Sequence, residues 1–212
     1  MEIKMGGILK STWEMLHDGR FLKKALMIAC PVALQGMLNT IVNMVDTLMI
    51  GGLGSTAIAA VGLANKVFFV FSLLVFGIVS GGGILAAQFW GSGDVKNIRK
   101  VLGLCVMLAM VGAMFFVVPA LTAPRMVMRI FTTSEGSIEL GAKYLRIAAL
   151  SYPFIALTNV YVAMLRATNK VVFPVICSCI AIVVNICLNY VLIFGKFGAP
   201  TMGVAGAACA TL

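Results

Sequence analysis

The sequence predicts an all-α fold, a polytopic transmembrane helical bundle, on three observations. Hydrophobic residues make up 61% of the 212-residue chain, and mean hydropathy is +1.07. Only 11% of residues are charged, against roughly 25% in soluble domains. The charges are also gathered, leaving 25–45, 47–65, 67–93, 101–124, 147–165, 171–195 and 197–212 free of Asp, Glu, Lys and Arg. A helix needs about 20 apolar residues to cross a bilayer. A water-soluble fold of this length could not cover so much apolar surface.

The elements follow in chain order. Residues 1–23 are mixed and polar, with no short apolar core before a small-residue cleavage site. They read as a cytosolic leader, not a signal peptide. The first helix is expected near 24–50, since only Asp46 separates the first two uncharged runs. "GGLGS" (51–55) makes a tight turn into a second helix near 57–87, which contains Lys66. Gly and Ser serve such turns well. "GSGDVKN" (91–97) breaks the chain again, and Asp94 is placed to cap a third helix near 99–122. "TTSEGS" (132–137) lies in the longest connection, ahead of a fourth helix near 140–165. Pro153, in mid-span, is its expected bending point. Pro31 and Pro174 fit kinks or helix starts. "RATNKVVFP" (166–174) leads into a fifth helix near 171–195, and "GKFGAPTMG" (195–203) into a sixth over 203–212. That last piece is too short to span a membrane. The expectation is therefore a single transmembrane domain, 24–212, truncated in helix six. Small residues such as those of "VSGGGILAA" (79–87) allow close helix approach.

A net charge of +9 raises nucleic acid as a partner, but the placement of the cations argues for a lipid bilayer instead. With the amino terminus inside, Lys4, Lys10, Arg20, Lys23, Lys24, Lys96, Arg99, Lys100, Arg166 and Lys170 are cytosolic, ten of the sixteen. Arg125, Arg129, Lys143, Arg146 and Lys196 fall outside. The excess predicts a cytosolic amino terminus, and the expected location is the plasma membrane. Lys66 is expected to snorkel to the outer interface, or else to line a cavity. The six cysteines sit in apolar runs without a CxxC pair and read as packing residues. The lone His17 lies in the leader, and no HExxH, GxSxG or paired acids occur within the spans. An intramembrane enzyme is therefore not expected.

Asp46 is the informative residue. Six of the seven acids fall in the leader or loops, and only Asp46 lies well inside a span. An acid at a helix centre costs about 2.5–3.5 kcal/mol on insertion scales, so something must offset it. Gln35, Asn39, Asn43 and Asp46, at spacings of +4, +4 and +3, share an arc of roughly 80°. Ser178, Asn185 and Asn189 share one of roughly 40° on the fifth helix. Unsatisfied polar groups in lipid cost several kcal/mol each, so the two stripes should meet, with Asp46 against Asn185 and Asn189. A proton or a hard cation such as Na⁺ would neutralise the acid. A second reading has Asp46 hydrogen-bonded for packing alone.

These residues resemble a known family. "CPVALQGMLNTIVNMVDTLMIGGLGSTAIAAVGLANKV" (30–67) is similar to the first two helices of multidrug and toxic compound extrusion (MATE) transporters: an early Pro, a mid-helix Asp, then a Gly-rich turn. "AAQFWGSGD" (86–94), "LRATNKVVFPV" (165–175), "NICLNYVLIFG" (185–195) and "GVAGAACAT" (203–211) resemble later family segments in order. The resemblance implies one six-helix lobe of a twelve-helix antiporter, whose C-terminal lobe this chain lacks. Such a protein exports small organic, often cationic, compounds in exchange for H⁺ or Na⁺ by alternating access, with no other cofactor. It also implies that Asp46 is the coupling acid, with Asn185, Asn189 and Thr211 as partners. Gln35, Asn39, Asn43 and Ser178 would complete a polar cavity stripe. Where family members often carry a second helix-five acid, this chain has Asn189, which weakens a Na⁺ site. The alternatives are a lipid-linked precursor flippase of the same superfamily and an inactive fragment.

Overall fold

The computed structural model describes residues 19–52, 54–195 and 201–211, and among these the only regular secondary structure is helical. The elements are α1 (Gly19–Gly51), α2 (Ser55–Gly91), α3 (Val95–Thr122), α4 (Pro124–Arg129), α5 (Glu135–Ala148), α6 (Tyr152–Ala167), α7 (Val172–Phe194) and α8 (Val204–Thr211). α2, α3, the α5–α6 unit and α7 are each long and apolar enough to cross a membrane. α1 has 33 residues, about 50 Å at 1.5 Å per residue, and is read as a further span. The proposed leader lies outside the described residues as far as residue 18, as does most of the 195–203 turn.

Two helices start well before the charge-free runs predict. α3 begins at Val95 and α5 at Glu135. A helix end needs caps and solvated carbonyls and amides, not apolar side chains, so it extends past the lipid-facing run. The longest connection, between the third and fourth spans, is itself mostly helical. Arg125 and Arg129 lie on α4, and Lys143 and Arg146 on α5. Pro124 opens α4 at a position where its missing N–H costs nothing.

The fourth span is two rods. α5 ends at Ala148, and a 3-10 turn, Ala149–Ser151, joins it to α6. Pro153 explains the break. It has no N–H, and its ring displaces the carbonyl four residues earlier, at Ala149. The Ser151 hydroxyl donates to the Ala148 carbonyl at 2.6 Å.

Asp94 caps α3 as the sequence predicts. Its carboxylate accepts from the Asn97 backbone N–H at 3.1 Å and from the Asn97 side-chain amide at 2.6 Å. Asp94→Ala is expected to cost about 1 kcal/mol, read as a lower melting temperature in detergent with unchanged helix content.

Packing follows residue size. α2 lies against α3, α5 and α6, and α3 also packs on α6. The buried face of α2 carries Ala57, Ala60, Ala64 and Phe71, and that of α3 carries Cys105, Ala109, Ala113 and Ala120. Small side chains at these spacings bring the helices close. α1 packs chiefly on α7, and α8 packs on α5 and α7. On α1 the outward residues are Leu34, Met37, Ile41, Met44 and Leu48, the last 75% exposed. Large apolar side chains outside, with the Gln35 amide buried inside, suit a lipid solvent.

α7 ends at Gly195, left-handed at φ 64° and ψ 39°, a helix-ending conformation that glycine adopts without strain. The chain then returns so closely that a β-carbon on Gly206 would lie 2.6 Å from the Leu192 carbonyl oxygen.

Candidate functional site

The polar stripe of α1 does not face one cavity. It divides between two. Asn43 and Asp46 line a first cavity of about 530 Å³, together with Asn65, Tyr144 and Thr211. Gln35 and Asn39 line a second of about 720 Å³, together with Ser178 and Arg166. The expected single stripe splits because it climbs α1: Asn39 and Asn43 share a face but stand one helical turn apart, and each belongs to a different level of the bundle.

In the first cavity α1 meets α7. The Asn189 side-chain amide donates to Asp46 Oδ1 at 2.6 Å and to Asn185 Oδ1 at 3.1 Å. Asn189 is 0% exposed. Asp46 therefore touches Asn189 directly, while Asn185 stands one bond further along. The Asn185 amide donates to the Ala210 carbonyl of α8 at 2.9 Å. The result is a chain of amides from α1 through α7 to α8. One member is incomplete: Asn189 Oδ1 is buried without a hydrogen-bond partner among the described residues. Thr211 lines the same cavity, but its hydroxyl donates to Ala207 of its own helix at 3.0 Å.

Among the described residues Asp46 is the only carboxylate in the lining of the first cavity, and Lys66 is not part of that lining. Lys66 is exposed on α2, as a snorkelling side chain would be. One wall of the cavity is aromatic. Phe68, Phe69, Tyr144 and Tyr152 line it; Phe68 tilts against Tyr152 at 5.7 Å, and behind the wall Tyr152 stacks on the buried Phe71 with ring centroids 4.7 Å apart. A lone carboxylate facing aromatic rings can hold an organic cation by charge and by cation–π attraction.

Ser178 does not join Asn185 and Asn189. It accepts from the Gln35 side-chain amide at 2.5 Å, and Gln35 Oε1 accepts from Arg166 at 2.6 Å. This second chain ties α1, α6 and α7 together.

Asn65, Ser72, Tyr144, Ser151, Asn159 and Arg166 also line the cavities, and none of them stands among the residues expected there from the sequence. A signal is present nonetheless. Each forms a +7 pair with another: Asn65 with Ser72, Tyr144 with Ser151, and Asn159 with Arg166. Residues seven apart lie on one helical face.

The profile of the MatE family matches residues 31–191. The probable multidrug resistance protein NorM of Thermotoga maritima is 33% identical over 192 residues, covering 90% of this chain and 41% of that protein. The probable multidrug resistance protein YoeA of Bacillus subtilis is 32% identical over 191 residues, covering 86% and 40%. A crystal structure of MATE in complex with MaD5 superposes with a TM-score of 0.81 at 25% identity, covering 90% of this chain and 42% of that one. An outward-facing multidrug resistance MATE family transporter of the MOP superfamily shares the fold, with a TM-score of 0.80 at 24% identity over 89% of this chain and 41% of its own. The chain thus spans 41% of the length of the NorM relative.

Proposed function

This chain belongs to the MatE family, and on that premise we propose that it forms the N-terminal lobe of a secondary antiporter. The lobe works with a second lobe to export amphipathic organic cations by alternating access. It lies in the plasma membrane with a cytosolic amino terminus. Asp46 is the coupling acid, and the entering cation and the substrate compete for its single negative charge.

One observation carries this reading: a lone carboxylate in a 530 Å³ cavity, held at 2.6 Å by a fully buried amide of the facing helix. An intramembrane acid is costly and is a functional group by default. The family match favours this reading over the flippase alternative.

A proton is the coupling ion that the donor set suits best. Asp46 Oδ1 accepts from the N–H donor of Asn189, which takes a place that a hard cation would need. The cluster carries one formal charge where two would bind Na⁺ more firmly. Na⁺ has one observation in its favour: the unpartnered Asn189 Oδ1, which an amide rotation would bring to bear.

The test is transport by proteoliposomes of a full-length transporter carrying this lobe, under an imposed H⁺ or Na⁺ gradient. Wild type is expected to respond to the H⁺ gradient. Asn189→Asp is expected to raise the response to Na⁺, because a second carboxylate then faces Asp46. Transport that ignores both gradients removes the antiport reading. An inert lobe predicts no efflux even when both lobes are coexpressed.

A further inference from the structure

We propose that the second cavity is an anion site, in which Arg166 binds a phosphate or carboxylate group. This site is separate from Asp46 and does not rest on the antiport reading.

Arg166 lies in the last turn of α6 with its guanidinium turned into the bundle. It donates to Gln35 Oε1 at 2.6 Å. Gln35 is only 8% exposed, and its own amide is fixed by the Ser178 hydroxyl. Gln35 therefore orients the guanidinium without neutralising it. A guanidinium has five N–H donors in a planar fork that matches carboxylate and phosphate oxygens in pairs. Among the described residues one donor is engaged, and by a neutral acceptor.

No counter-ion is available among the described residues. Asp94 is held by Asn97. Glu135 pairs with Arg129 at 3.3 Å and Glu139 with Lys143 at 3.2 Å. Asp46 is bound to Asn189 and lines the other cavity. The second cavity has no carboxylate in its lining.

The space suits a ligand. Its volume of about 720 Å³ falls within the roughly 300–1,000 Å³ of small-molecule sites. Asn39, Thr158 and Asn159 add neutral polar groups, and Val32, Phe76 and Val79 supply an apolar wall. The site therefore fits an anionic head on an apolar body. An anionic phospholipid from the adjoining leaflet and a free anion present the same head-group chemistry.

The test uses the full chain, delipidated in detergent. Native mass spectrometry reads retention of added phosphatidylglycerol, and melting temperature reads the response to millimolar inorganic phosphate. If the anion is a lipid, wild type retains phosphatidylglycerol about tenfold more than Arg166→Gln, the scale of one charge-assisted pair, and phosphate does not displace it. If the anion is free, phosphate raises the melting temperature of wild type and not of Arg166→Gln. Lys170→Gln, an exposed cation at the same end, should leave both readouts unchanged. Equal behaviour of wild type and Arg166→Gln overturns the proposal, as does an equal loss in Lys170→Gln. A measurement on wild type alone covers a variant that fails to fold. Phosphatidylglycerol or phosphate should slow phenylglyoxal labelling of Arg166, read on its peptide, and unchanged labelling with both also overturns the site.

Discussion

Asp46→Asn, in a full-length transporter carrying this lobe, is expected to abolish coupled efflux while membrane insertion stays intact. The two side chains have the same shape. The substituted side chain can still present an oxygen to the Asn189 amide that now donates to Asp46 at 2.6 Å, so the α1–α7 contact survives. What disappears is the one group in the lining of the first cavity that can carry a carboxylate charge. An amide neither accepts a proton at physiological pH nor balances a bound cation. Ligand and driving ion then no longer exclude each other. The expected loss of resistance is about tenfold or more, the scale of a coupling free energy of 1–3 kcal/mol. Minimum inhibitory concentrations, with surface expression measured in parallel, check it. Unchanged resistance at equal expression would remove Asp46 from the mechanism.

Gly206→Ala should give the largest structural effect. The new β-carbon would lie 2.6 Å from the Leu192 carbonyl oxygen, 2.7 Å from its carbonyl carbon and 3.1 Å from the Ile193 nitrogen. All three are backbone atoms of α7, so no side-chain rotation relieves the overlap, and the helices must separate. Overpacking of this kind costs about 1–3 kcal/mol. The separation also pulls the Ala210 carbonyl away from the Asn185 amide it now meets at 2.9 Å. The variant is expected to melt at a lower temperature in detergent and to bind organic cations less well. A melting temperature equal to wild type would mean that α8 does not rest on α7 in this way.

Much of this is legible in the sequence, and the particulars show why. The spans can be read because lipid imposes long apolar runs. The Asp46–Asn189 contact can be inferred because two polar stripes in oil have few other partners. The same argument brings Ser178 to Gln35 of the facing stripe, but it does not foresee that this contact sits in a second cavity apart from Asp46. Helical spacing places Ser178 on the face of Asn185 and Asn189 but says nothing of height in the membrane, and at its own height Ser178 meets Gln35. Arg166 reads as a loop cation because its position ends a span. A long side chain that folds back into the bundle leaves no mark in composition. The division of the fourth span at Ala149 can be foreseen from Pro153, whereas the helical start at Glu135 cannot, because caps and solvated ends override hydropathy.

The two polar chains hold opposite signs at different heights in the bundle: Asp46 on α1, and Arg166 against Gln35, eleven residues earlier on the same helix. In the proposed orientation, the negative group lies toward the outside and the positive group toward the cytosol. A resting voltage, negative inside, pulls each the way it already points, at about 2.3 kcal/mol per charge per 100 mV for the full drop. With that proposed orientation this pair of charges is polarised along the membrane normal, and neutralising Asp46 from outside would remove its negative pole.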